Sequence, residues 1–202
     1  MSRLPLVAGA AAIAAVVGVT LSLTFNRGGE LADCFGTSVA GGDIGGPFTL
    51  VDQTGTTMTD EEVITGPTLV YFGYGFCPDV CPIDNARNVA AVDLLAERGI
   101  DATPVFITVD PARDTPDFMA DYTANMHPEM IGLTGSPEQI AAAADAYRVV
   151  YSRNGDDPDY YLMNHSAFTY LMMPQMGFVT FFNRDATPAQ VADQTACAVR
   201  QI

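Results

Sequence analysis

The chain of 202 residues carries 9 basic and 24 acidic side chains, a formal charge of −15, and every basic residue is arginine. A surface this acidic repels phosphate backbones and anionic headgroups, which excludes nucleic-acid binding and favours basic or cationic partners. The length suits a single domain, and the hydrophobic content of 49% is raised by one apolar stretch at the N-terminus.

That stretch runs from Leu4 to Phe25 without a charge. As a helix it extends about 33 Å, enough to cross a hydrocarbon core of about 30 Å. It is longer than the apolar core of a cleaved signal peptide and lacks a small-x-small cleavage site, so it is read as an uncleaved transmembrane helix. Residues 26–46, rich in glycine, read as a linker. A lipoprotein reading of Cys34 fails because Asp33 precedes it and the apolar segment ends too far upstream.

The folded part is expected from Pro47 onward. Two short strand-like runs flank Thr54-Gly55, a hairpin signal. TLVYFGYGF, residues 68–76, is a near-continuous apolar run suited to a strand buried on both faces. Beyond it, Asp84 or Asn85 is expected to cap a helix carrying Val89, Val92, Leu95 and Ala96, with Gly99 as its stop. PVFITV, residues 104–109, repeats the buried-strand pattern.

Thr115-Pro116, Ser136-Pro137 and Thr187-Pro188 each join a capping hydroxyl to proline at the first helical position; the last two add glutamine at the capping-box place. Further strands are expected at 130–133, 149–152, 166–173 and 178–182, the last two antiparallel. Alternating strands and helices, then a hairpin and a final helix, predict an α/β thioredoxin-like sandwich with a mixed central sheet. The predicted organisation is a transmembrane anchor at 4–25, a linker at 26–46 and one domain at 47–202.

Four cysteines form a close pair, Cys77 with Cys81, and two distant singles, Cys34 and Cys197. In an oxidising compartment the economical pairing joins Cys34 to Cys197 and leaves the close pair for chemistry. Cys77-Pro78-Asp79-Val80-Cys81-Pro82 stands where a buried strand gives way to a helix. Unpartnered N–H groups and the helix dipole there favour thiolate, which is both nucleophile and metal ligand. Pro82 is expected to make the first turn irregular. On this pattern the pair is a static disulfide, a redox centre or part of a metal site.

Only His127 and His165 can supply an imidazole. His127 precedes Pro128 at the expected end of a helix, where a solvated role suffices; His165 follows an irregular acidic loop and precedes a strand. Alone, His165 is either structural or a ligand. Two thiolates with one imidazole form a soft set that suits Cu(I) and tolerates Cu(II) or an open zinc site. Asp110, Arg113 and Asp114 follow a strand end, where turn chemistry explains them as readily as function. The methionines read as core filling, with Met163, two residues from His165, the one to examine.

YFGYGFCPDVCP, VDPARDTP and the histidine before a strand resemble the Sco/SenC family over roughly Gly46 to the C-terminus. The resemblance implies a thioredoxin-like fold, a membrane anchor, and copper held by Cys77, Cys81 and His165. It also implies that a copper donor supplies the protein. The copper is then delivered to the dinuclear site of cytochrome c oxidase subunit II, or the cysteines of that site are kept reduced. A bacterial cytoplasmic membrane location follows, single-pass, with the domain in the periplasm, since the leader lacks an Arg- and Ser-rich presequence. Family members usually carry Asp before the histidine, where this chain has Asn164. Asn164, Asp79 and Asp110 are the candidates for supporting the ligands from behind.

Overall fold

A computed structural model describes residues 31, 33–35, 44–157 and 160–201. The expected anchor at 4–25 lies outside the described residues, and among those described no helix is long and apolar enough to cross a membrane. Of the segment read as a linker, Leu31 and residues 33–35 are helical, and Leu31 is buried in an apolar cluster with Leu69, Val92, Leu171 and Val191.

The chain proceeds through β1 (Thr49–Asp52), β2 (Thr57–Thr59), α1 (Asp60–Val63), β3 (Thr68–Gly73), α2 (Val80–Ala96), β4 (Thr103–Thr108) and α3 (Pro116–Met126). It continues through β5 (Ile131–Thr134), α4 (Pro137–Ala146), β6 (Tyr151–Asn154), β7 (Leu162–His165), β8 (Thr169–Met173), β9 (Gly177–Phe182) and α5 (Pro188–Val199). Seven strands form one mixed sheet in the order β2-β1-β5-β4-β3-β8-β9. β3, β4 and β5 are parallel, joined through α2 and α3, while β1 and β8 pair antiparallel on either side. The result is the thioredoxin-like sandwich, with β6 and β7 standing apart as a two-stranded ribbon.

Local chemistry accounts for most of these elements. At the β1–β2 turn the Asp52 carboxylate accepts the backbone N–H groups of Thr54 and Thr56, and Gly55 takes a φ of 84° that other residues resist. Thr115, Ser136 and Thr187 cap α3, α4 and α5 as expected, with proline in each first turn. All six residues of β3 are buried, the signature of a central strand. Leu69 lies in one cluster with Val92 and Leu95 of α2 and Val191 of α5. Phe72 packs on the Tyr147 ring, 5.2 Å away, beside α4. Each fully buried aliphatic or phenyl side chain contributes on the order of 1.5–3 kcal/mol, so this double-faced core holds β3 rigidly.

Two expectations need correction. α2 begins at Val80, not after Asp84 or Asn85, because proline is tolerated within a first turn, whose N–H groups have no helical partners. Asp84 and Asn85 are consequently buried inside the helix. The strand expected from Ser166 starts only at Thr169, and His165 ends β7, whose partner is β6. β8 and β9 do pair antiparallel.

Candidate metal centre

β3 delivers the chain to a short loop, Tyr74 to Asp79, from which α2 departs. Cys77 is part-exposed in this loop, and Cys81 is buried in the first turn of α2. Both are free thiols, and the Cys81 backbone N–H donates to the Cys77 sulfur across 3.4 Å. The Cys81 sulfur rests over Gly73, where a Cβ would approach it to 3.0 Å and the Phe106 ring to 2.8 Å. Gly73 is therefore required by close packing at the ligand.

The ribbon brings His165 over this loop, its Nε2 3.2 Å from the Cys81 sulfur. Nδ1 donates to the Ser166 carbonyl at 3.0 Å, which fixes the tautomer and leaves Nε2 as the ligating atom. The rings of Tyr71 and Tyr74 meet the imidazole edge-on, at 6.1 and 5.9 Å. The two sulfurs and one imidazole nitrogen lie within 4.8 Å of one another. An ion about 2.3 Å from each sulfur in a trigonal arrangement needs sulfurs about 4 Å apart, so the donors fit one soft ion with little movement.

Electrostatics divide the two thiols. Burial pushes the Cys77 thiol up, but the backbone N–H groups of Cys81, Asp79 and Val80 outweigh it and hold Cys77 below its ordinary range. Burial pushes Cys81 well above its ordinary range, and the neighbouring Cys77 adds to the rise. Burial likewise depresses His165, against the opposing pull of the Ser166 carbonyl and Asp84, so the imidazole is held in its neutral, ligating form.

Beneath Cys81 lies a buried polar network absent from the sequence expectations. The Tyr71 hydroxyl, within hydrogen-bond reach of the Cys81 sulfur, donates to Asp84 at 3.0 Å. Asp84 pairs with Arg87 at 3.2 Å, and Arg87 also donates to Thr169 and to the Asn183 carbonyl. Since breaking a buried ion pair costs about 3–5 kcal/mol, this network fixes the base of the site.

The three residues proposed from sequence as supports stand differently. Asp79 is exposed, makes no side-chain cap and contributes its backbone N–H to Cys77. Asn164 alternates with His165 along β7, faces outward and donates to Ser152 at 3.4 Å, with no contact to the imidazole. Asp110 is buried, accepting from the Tyr161 hydroxyl and from Arg113. His127 stands at the end of α3, 3.3 Å from Asp93, remote from the cysteines in the fold. Cys34 and Cys197 are joined, with Cα atoms 5.6 Å apart. Met163 packs against the core and lies on the same strand as His165.

A thioredoxin-like sandwich with two free cysteines and a histidine at the outlet of its central strand defines a soft-metal or thiol-redox protein. Residues 37–200 match the model of the SCO1/SenC family, and the chain belongs to that family. It is similar to Protein SenC of Rhodobacter capsulatus, 56% identical over 200 residues, which cover 97% of this chain and 90% of that protein. It is also similar to Protein SCO1 homolog 1, mitochondrial, of Arabidopsis thaliana, 40% identical over 82% of this chain and 50% of that protein. Among solved structures, Arabidopsis thaliana ScoI with copper bound superposes with a TM-score of 0.74 and 42% identity, over 79% of this chain and 99% of that one. Bradyrhizobium japonicum ScoI with copper bound gives 0.69 and 37%, with the same coverage.

Proposed function

We propose that this chain is a membrane-anchored copper chaperone in which Cys77, Cys81 and His165 hold one copper ion, as Cu(I) and also as Cu(II). Its recipient is the dinuclear copper site of cytochrome c oxidase subunit II, reached from the periplasmic face of a bacterial cytoplasmic membrane. The observation that carries this reading is the convergence of two free sulfurs and an imidazole nitrogen within 4.8 Å. The copper in the two solved relatives supports it. Two thiolates and one nitrogen leave a metal open to a fourth ligand, which suits transfer by ligand exchange.

A second reading, a thiol–disulfide reductase acting on the cysteines of the recipient site, draws on the asymmetry of the pair. The part-exposed, low-lying Cys77 thiolate would attack a target disulfide, and Cys81 would resolve the mixed disulfide, leaving a Cys77–Cys81 disulfide and a reduced target. Titration of the reduced full-length chain with Cu(I) against a competing chelator separates the two. His165→Ala should weaken copper at least tenfold while disulfide reduction survives. Unaltered affinity in that variant overturns the three-ligand site, and wild-type binding no tighter than that of Cys77→Ser favours the reductase.

A further inference from the structure

The third ligand is carried by an element with no main-chain pairing to the central sheet. β6 and β7 pair only with each other among the described strands, and His165 sits opposite Tyr151 at one end of their ladder. A two-stranded ribbon is marginal alone, so its position over the cysteine loop depends on side chains.

Tyr74 of the cysteine loop accepts from the Met163 backbone, and the loop after β4 supplies the other side chains. The Arg113 guanidinium lies 3.7 Å from the centre of the Tyr161 ring and 4.8 Å from that of Phe76, the residue preceding Cys77. Its Nη1 donates to the Tyr161 carbonyl at 3.1 Å, and its Nε to the Asp110 carboxylate. The other Asp110 oxygen accepts the Tyr161 hydroxyl at 2.8 Å. Arg153, within the ribbon, also stacks on Tyr161, 4.0 Å from its centre. The ion pair is largely out of water, with side chains 18% and 5% exposed. A planar cation stacked on rings from both bodies, and hydrogen-bonded to one of them, fixes their relative position as lysine would not. Tyr161 immediately precedes β7, on which Met163 and His165 follow at two-residue intervals, so holding Tyr161 sets the height of His165.

We propose that Arg113, with Asp110 and Tyr161, is a positioning clamp that docks the His165 ribbon onto the cysteine loop and thereby sets copper affinity without touching the metal. The inference rests on the three-ligand reading above. In the full-length chain, Arg113→Ala should weaken Cu(I) binding tenfold or more against a competing chelator, Arg113→Lys less, and Tyr161→Phe about two- to tenfold. In the His165→Ala background, Arg113→Ala should have no further effect, because the clamp acts through that histidine. The metal-free protein gives an independent readout. Amide exchange in residues 151–154 and 162–165 should accelerate in Arg113→Ala while exchange in the seven-stranded sheet stays as in wild type.

A loss below tenfold in Arg113→Ala, an undiminished loss in the His165→Ala background, or unchanged ribbon exchange overturns the clamp. Should Arg113→Ala fail to fold, Tyr161→Phe carries the same comparisons, and wild-type affinity and exchange in it overturn the clamp. If His165→Ala binds copper like wild type, the three-ligand reading fails, and the clamp is then decided by ribbon exchange alone.

Discussion

Asp114 is completely buried beneath the cysteine loop, and one of its carboxylate oxygens takes both the Gly75 N–H at 2.8 Å and the Thr108 hydroxyl at 2.6 Å. Its other oxygen is buried without a hydrogen-bond partner. Burial dominates the balance and raises the group from 3.8 to about 6, with the two hydrogen bonds opposing. At 1.36 kcal/mol per pH unit, that displacement corresponds to about 3 kcal/mol. The sign follows from proton binding. The folded state holds the proton more tightly, so the stabilisation is complete below about pH 4 and is lost as pH rises through about 6. Asp114→Asn removes the titration. Guanidinium unfolding of both proteins from pH 4 to 7.5 should show the wild type losing about 2 kcal/mol of that relative to the variant over the interval. A difference that stays flat with pH, or grows in favour of the wild type, refutes the argument that burial governs this carboxyl.

Three further outcomes are expected. Replacing Cys34 and Cys197 by serine opens a loop spanning 163 residues, for which chain entropy suggests about 5 kcal/mol and measured cases run about 2–5. Denaturant unfolding should fall in that range while Cu(I) affinity stays within about threefold. Gly73→Ala forces a methyl against the Cys81 sulfur and the Phe106 ring, so thermal unfolding should report a loss of about 1–3 kcal/mol, with copper weakened roughly tenfold. Asn164→Asp, which restores the family's usual residue on the outward face of β7, should change Cu(I) affinity by less than about threefold in chelator competition, because the side chain does not reach the imidazole.

What could be read from the sequence was what local chemistry determines. The apolar run of β3, the three hydroxyl–proline helix starts and the Thr54-Gly55 turn each depend on neighbours a few residues away, and each is found where expected. The cysteine pair and His165 were legible as soft-donor chemistry, and they converge. α2 starts earlier than its sequence suggests because Pro82 falls in the first turn, where its missing N–H has no helical role. The Tyr71–Asp84–Arg87–Thr169 network was missed because polar residues on a helix look solvated until contacts 13 and 82 residues away close over them. Arg113 reads as a turn residue because the ring that captures it lies 48 residues downstream. A signal did exist: Tyr161, Met163 and His165 recur at every second position, the period of a strand with one face turned inward.

The Cys34–Cys197 bridge encloses every strand of both sheets and all five labelled helices except the last two residues of α5. Between the two cysteines the domain is therefore topologically a covalent ring. One protease cut within the ring, for instance in the exposed segment around Gly155, would open it without releasing a fragment, so both halves would remain in one molecule until the bridge is reduced.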